Sequence, residues 1–188
     1  MYKTSLNVSN HLVLHKQHLT NDSKANDIIQ IVRDMSGLHA TSPTTPYLSL
    51  FARTRNFAKE QLDEELYIKR NLGKIRCMRK TVYVLSKEMI PIAYSATKKM
   101  VEPVSEKYSQ YLGVTRKKYE EASKLILKTL KDRGMTAKEI KKALRTELNI
   151  SAILNLMCDQ GLLIRGNPRN GWKSNVHTYH LFRDFFQT

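Results

Sequence analysis

Apolar residues recur with helical spacing over most of this chain. In residues 24–36, Ala25, Ile28, Ile29, Val32 and Met35 fall on one face of an amphipathic helix. Gly37 follows and is expected to end that helix in the left-handed conformation. Residues 9–20 can form a shorter helix before it. Another helix is predicted to begin near Pro46, carrying Tyr47, Leu50 and Phe51 inward, and a further one runs from about Ala58 to Arg70. The period then changes. "KIRCMRKTVYVLS", residues 74–86, becomes β-branched and aromatic and reads as a strand or hairpin. Helical spacing returns from Glu88 to about Tyr108.

A second round starts after "SQYLGVT", residues 109–115, where the best domain boundary lies. Ala122, Leu125, Ile126 and Leu130 mark a helix that Gly134 ends. Thr136 and Glu139 have capping-box spacing, each side chain able to satisfy the other's backbone N–H. They open a short helix with Ile140, Ala143 and Leu144 inward. Ile150, Ile153, Leu154 and Met157 form the next stripe, and Gly161 stops it. "LLIRGNPRNGWKSNVHTYHLF" then reads as strand, tight turn, strand, with Asn167-Pro168 and Asn170-Gly171 as turn chemistry. Three helices and a two-stranded hairpin make a winged helix, a variant of the helix-turn-helix.

Charge narrows the choice of partner. The 188 residues hold 32 Lys+Arg against 17 Asp+Glu, a net charge of +15. Such a surplus attracts polyanions, nucleic acid before acidic membranes. Between Asp159 and Asp184 there is no acid, while Arg165, Arg169, Lys173 and Arg183 are basic. The helix predicted over 151–160 has no Lys or Arg, so it lacks the side chains that read guanine bidentately. Backbone or shape recognition by the hairpin is the expectation instead. No run approaches the roughly 18 apolar residues of a membrane helix. Cys77 and Cys158 form no CxxC and sit among apolar residues, as free thiols of a reducing cytosol do.

Few residues offer chemistry. His11, His15 and His18 could share a helical face, but no carboxylate lies among them; solvated or phosphate-facing imidazoles fit better than a zinc site. His177 and His180, three apart on a predicted strand, point to opposite faces. Asp63, Glu64 and Glu65 read as an exposed helix face. Nothing matches a phosphate loop, a Rossmann glycine pattern or a GxSxG elbow. An enzyme built from this chain would use a neutral polar site, and His39-Ala40-Thr41 is the candidate. The alternative is that His39 and Thr41 cap the helix near Pro43 and satisfy loop backbone groups.

Three stretches carry a resemblance. Gly37-Leu38-His39-Ala40-Thr41, the aromatic-plus-Arg segment Pro46 to Arg53, and Arg79-Lys80-Thr81-Val82-Tyr83 resemble the bacterial winged-helix family that includes the AlkZ-like and YcaQ-like DNA glycosylases. The family pattern there is a Gly-Leu-Gln-Ala-Gln-like segment, an aromatic and Arg-bearing helix, and an Arg-Gly-Thr-Leu-His-like strand. His39 and Thr41 stand where the family has Gln-x-Gln or Gln-x-Asp, and Tyr83 stands where it has His. The resemblance implies a mainly α fold with small β wings (α+β), built as tandem winged-helix units over 1–112 and 113–188. It implies excision of bulky N7-alkylated purines, or the N-terminal half of such an enzyme. His39 and Thr41 would then be catalytic. Tyr47 would lie near the lesion, and Arg53, Arg76, Arg79, Lys80, Arg165, Arg169 and Lys173 would track phosphates. The expected partner is double-stranded DNA, with no cofactor, no metal and no membrane, in the cytoplasm of a bacterium or archaeon and on the nucleoid when bound. A non-catalytic winged-helix DNA-binding protein or transcriptional regulator is the alternative.

Overall fold

The structure is a computed structural model and describes residues 5–131 and 133–186. Helix α1 (Leu6–Lys16) begins at Ser5, whose Oγ accepts from the Val8 N–H, and buries none of its residues. Helix α2 (Ile28–Asp34) is shorter than its apolar spacing predicts. Asp27 caps it by accepting from the Ile29 and Gln30 N–H groups, so Ala25 falls outside and bridges to Thr54 instead. The helix also ends one residue earlier than expected. Ser36, with φ 53°, takes the left-handed position, and the Gly37 N–H reaches back to Val32 O at 2.9 Å. Gly37 is still needed, because a Cβ there would lie 2.4 Å from Leu85 Cδ2.

The chain then forms strand β1 (Leu38–His39), helix α3 (Thr45–Arg53), and helix α4 (Lys59–Asp63), which runs into a π-helical turn, Glu64–Ile68. Strands β2 (Leu72–Arg76) and β3 (Val82–Ser86) make the predicted hairpin. β3 is central, and the antiparallel order is β1-β3-β2. The hairpin tip is Arg79-Lys80, with φ 55° and 59°. Both central residues of a type I′ turn need positive φ, a demand that Asn-Gly meets and that costs side chains like these about 1 kcal/mol each.

Helix α5 (Met89–Tyr111) leads to a second set: α6 (Arg116–Thr129), β4 (Met135–Thr136), α7 (Ala137–Leu144), α8 (Ile150–Asp159), β5 (Leu163–Pro168), β6 (His177–Leu181) and α9 (Phe182–Phe185). The Thr136–Glu139 capping box is formed in both directions. The second sheet runs β4-β6-β5. Both halves therefore repeat one order, helix, strand, helix, helix, strand, strand, with the last strand in the middle. The β5–β6 connection is longer than the tight turn expected. Residues 169–176 form a loop closed by the Arg169 N–H on Val176 O at 2.8 Å, and Gly171 turns it at φ 80°.

Each sheet has its own apolar core. Ile31, Leu50, Leu62 and Leu72 fill the first; Ile126, Ile140, Ile153 and Met157 fill the second. Phe51 and Leu125, expected inward, are 67% and 54% exposed. Helix α8 buries seven of its ten residues, because the second core covers one side and α5 and β2 cover the other. A helix so enclosed cannot enter a DNA groove, which accounts physically for its lack of Lys and Arg.

The two halves meet at Asp159, the last residue of α8, whose side chain is fully buried. Arg76 from β2 donates to its Oδ2 at 2.9 Å, and Ser105 from α5 donates to the same oxygen. Burial pushes the Asp159 carboxyl above the usual carboxylate range, against the pull of Ser105 and Arg76. Breaking a buried pair strands the other charge and costs about 3–5 kcal/mol. Asp159→Ala is therefore expected to lower the melting temperature by roughly 10 °C in a chain of this size. The double variant Arg76→Met with Asp159→Leu should recover most of that loss. Thermal unfolding tests both, and an Asp159→Ala protein that melts with the wild type would show the pair to be solvated.

Candidate functional site

His39 and Thr41 leave β1 on the same side, as residues two apart in extended chain do. Both are exposed. The Val82 N–H donates to Thr41 Oγ1 at 3.4 Å, and Thr41 Oγ1 lies 3.3 Å from His39 Nε2. With its oxygen accepting from Val82, the hydroxyl has its proton free for His39 Nε2, which suits an imidazole protonated on Nδ1. The Tyr83 ring stands edge-on to His39 at 5.5 Å. Helix α3 starts from Thr44 with no side-chain cap. The capping alternative for His39 and Thr41 thus fails, while Thr41 does satisfy one backbone group of β3.

Thr41 also stands at the rim of a cleft of about 110 Å³ between the two halves. That volume holds a few waters and is well below the 300 Å³ or more of pockets that swallow a small organic molecule. Lys74 from β2 and Arg165 from β5 line it, with His177 from the start of β6. Lys74 donates to the Tyr67 hydroxyl at 2.7 Å, and Arg165 donates to Asn155 Oδ1 at 2.7 Å. His177 Nδ1 faces Asn175 O at 2.9 Å, which makes it the donor and leaves Nε2 as an acceptor, buried and without a hydrogen-bond partner among the described residues. Burial, reinforced by Arg165, holds the Lys74 ammonium down to about 8. Burial, with Arg165 and Lys74 adding repulsion, takes the His177 imidazole down to about 4.

The other predicted residues divide into surface and interior. Arg79 and Lys80 project from the β2–β3 tip, and Arg169 and Lys173 from the β5–β6 loop; all four are exposed. Arg169 comes within 3.8 Å of Glu139, a surface pair of little energetic weight. Tyr47, Arg53, Arg76 and Arg165 do not sit where outward-facing DNA contacts need them. Tyr47 is 3% exposed, donates to Asp63 Oδ1 at 2.5 Å and packs under Trp172 from the β5–β6 loop. Arg53 folds back onto Ser49. Arg76 is taken by Asp159, and Arg165 lies in the cleft wall.

Sequence reasoning missed Lys74, Tyr67, Asn155 and Trp172. A signal existed for the first. Leu72, Lys74 and Arg76 alternate on one face of a strand that also buries Gly73 and Ile75, and cations in such a strand need partners. The three N-terminal imidazoles do not converge. His18 turns to Asp34 at 2.8 Å and to Ser23 O, away from His11 and His15. Both cysteines are free thiols. Among the described residues no helix is long and apolar enough to cross a membrane.

A family profile, DNA glycosylase AlkZ-like, matches residues 32–187, so the chain belongs to the AlkZ-like DNA glycosylase family. Among solved structures, the Streptomyces sahachiroi DNA glycosylase AlkZ is similar at 18% identity and a TM-score of 0.73. The match covers 100% of this chain and 52% of that one, so the chain spans about half the length of that protein. At that identity the likeness establishes the fold. Comparison with curated proteins finds no match.

The cleft makes stability depend on pH in two windows. Unfolded, His177 binds its proton near the ordinary 6.5; folded, it does so near 4. Stability from neutral His177 is thus complete above about 6.5 and lost as pH falls toward 4, by up to about 3 kcal/mol. His180, also held down by burial, adds to this loss. Lys74 folded gives up its proton near 8 rather than near 10.5. The unfolded chain binds more protons between those values, so stability should rise from pH 8 to 10.5. Denaturant unfolding across pH should show both limbs. Lys74→Met should flatten the alkaline limb and His177→Phe should shrink the acid one. An alkaline limb that persists in Lys74→Met would assign it to another group.

Proposed function

We propose that the chain is a DNA-repair protein of glycosylase type, built from two winged-helix units with the boundary near residue 112, that acts on bulky N7-alkylated purines in double-stranded DNA. The observation that carries this reading is the His39–Thr41 side-chain pair, exposed on an edge strand at the mouth of a cation-lined cleft, in a chain of the AlkZ-like family. The repeated order of elements, with the last strand central in each sheet, supports the winged-helix units. A cytoplasmic location on the chromosome follows from the same reading.

N7-alkylation puts positive charge on the base, so the glycosidic bond breaks with little help from an acid. What remains is to place a water and to stabilise the sugar cation. His39 accepts from Thr41 and can hold that water through the same hydroxyl. The small cleft does not call for a base flipped deep into the protein, and a lesion probed from the groove fits it better than extrusion. Phosphate contacts are assigned to the exposed cations of the two hairpins, Arg79 and Lys80 on one and Arg169 and Lys173 on the other. Tyr47, Arg53 and Arg76 support the site from inside.

Base release from a duplex carrying one bulky N7-alkylguanine, scored as alkali-labile abasic sites at saturating protein, tests the activity. Wild type should release the base, and His39→Ala and Thr41→Ala should each lose about 10²-fold. Saturated binding without release would leave a non-catalytic DNA-binding protein of the same fold. The hairpin tip gives a separate test. Arg79→Asn with Lys80→Gly should raise stability by about 1–2 kcal/mol, because it relieves the left-handed strain. The same change should weaken DNA binding and reduce the salt slope by about 2. An unchanged slope would remove the tip from the interface.

A further inference from the structure

Lys74 and Arg165 pose a problem of charge. Both are largely buried in the cleft wall, and among the described residues neither forms an ion pair with a carboxylate. Their hydrogen bonds go to neutral groups, the Tyr67 hydroxyl and the Asn155 amide. Buried cations are ordinarily paired, because burial without a counter-charge is costly. The nearest carboxylates have other partners. Asp63 on α4 accepts from Tyr47 and lies 3.9 Å from Lys59. Asp159 on α8 gives one oxygen to Arg76 and Ser105; its Oδ1 has no hydrogen-bond partner among the described residues, and it favours the charged Arg165 without forming an ion pair with it. Beside the two cations His177 leaves a buried Nε2 unpartnered, and Thr41 offers its hydroxyl at the rim. The chemistry of the reaction sharpens the problem. A sugar cation forming next to two fixed positive charges would be destabilised unless an anion lies between them.

We propose that the cleft walled by Lys74, Arg165 and His177 seats one phosphate group of the DNA strand, whose charge neutralises both cations beside Thr41. The proposal deepens the DNA-repair reading above and rests on it. The phosphate accepts from the Lys74 ammonium and from guanidinium N–H groups that Arg165 does not give to Asn155. His177 in its neutral form turns a lone pair toward the seat, so the anion recruits a proton to Nε2 and converts it to a donor. Binding is therefore coupled to proton uptake. It tightens as pH falls through the range where His177 gains its proton, and it weakens above about 8 as Lys74 loses its own. The groups that face Lys74 are Tyr67, Asp63, Arg165 and His177; those that face His177 are Arg165, Lys74 and the Asn175 carbonyl.

Sulfate stays a dianion from pH 5 to 10, so its own charge does not change across the titration, and it is the probe for the seat. It is titrated into the full chain at constant ionic strength, with chloride as the balancing anion. The readouts are melting temperature and the NMR signals of the His177 ring. The expected result is a rise of about 3–6 °C at roughly ten times the Kd, with the His177 signals moving in step. Lys74→Met and Arg165→Met should abolish both effects, Lys74→Arg should retain much of them, and Lys117→Met, at an exposed position of α6 away from the cleft, should behave as wild type. Affinity should drop up to about tenfold per pH unit above pH 8. In a second arm a short duplex should displace sulfate from the His177 signal, and the two Met variants should lose duplex affinity with a salt slope lower by about 1. A sulfate response that is absent, or equal in all variants, overturns the seat. Duplex binding that both Met variants retain at wild-type strength also overturns it, while leaving the DNA reading intact. Sulfate that binds in the seat but is not displaced by a duplex overturns the assignment to a DNA phosphate, and the DNA reading fails only where the duplex also does not bind at all.

Discussion

The buried carboxylate of Asp159 is the point on which the two halves are hung. It closes α8, it receives Arg76 from the first sheet, and it receives Ser105 from the long helix α5. One oxygen takes both bonds, so three elements from different parts of the chain must arrive at a single position. Such a buried pair adds little net stability against an apolar replacement. What it supplies is register. Apolar packing alone would admit α8 in more than one rotation, but only one of them brings Asp159 to Arg76. The site inherits that register, since β2 carries both Arg76 and Lys74, two residues apart and on one face. The contact that locks the halves together also fixes where the Lys74 ammonium enters the cleft.

A consequence follows for how DNA can be met. In a helix-turn-helix the later helix usually enters the groove. Here α8 is enclosed by its own core and by α5, and it offers no cation. Both hairpin ends carry exposed cations, as do the outer faces of α5, α6 and α7, and the β5–β6 loop also turns inward. Its Trp172 covers Tyr47 of the first half at 4.9 Å, while Lys173 of the same loop stays in solvent over the indole face at 5.4 Å. One loop thus seals the junction with its apolar member and presents charge with the next residue. On the proposed reading, recognition by such a surface works through phosphates and groove shape more than through base edges.

Much of this was readable from the chain, and the failures have identifiable causes. The helical stripes of α6, α7 and α8, the Thr136–Glu139 cap and both hairpins follow from periodicity and turn chemistry, which are local. The errors arise where distant chain decides. Phe51 and Leu125 fit an apolar stripe but face solvent, because nothing packs over that side of α3 or α6. Tyr47, Arg53 and Arg76 are expected at the DNA only from the family resemblance, while the apolar stripe already turns Tyr47 inward. Each is drawn inward by a partner whose position no local pattern reveals, such as Asp159 for Arg76 and Trp172 for Tyr47. His39 and Thr41 were legible as a pair, since two-residue spacing on a strand is local. Their relation to Lys74, Arg165 and His177 was not, because those residues come from three other strands or loops.

The same residues explain why the chain tolerates costs that a purely structural protein would shed. Arg79 and Lys80 occupy a turn that favours Asn-Gly. Lys74 and Arg165 bury charge against neutral partners, and His177 gives up a hydrogen bond at Nε2. Several of these penalties fall on the first hairpin and on the cleft beside Thr41, although others lie elsewhere, such as the unpartnered Asp159 Oδ1 and Ser109 Oγ and the positive φ of Arg70 and Arg145. Strain and unpaired charge persist where surrounding structure over-determines them, and they gather where a ligand relieves them. Arginine at this depth stays charged at any physiological pH. Asp159 acts on that charge without forming an ion pair with it, and on the proposed reading a DNA phosphate in the cleft meets it directly.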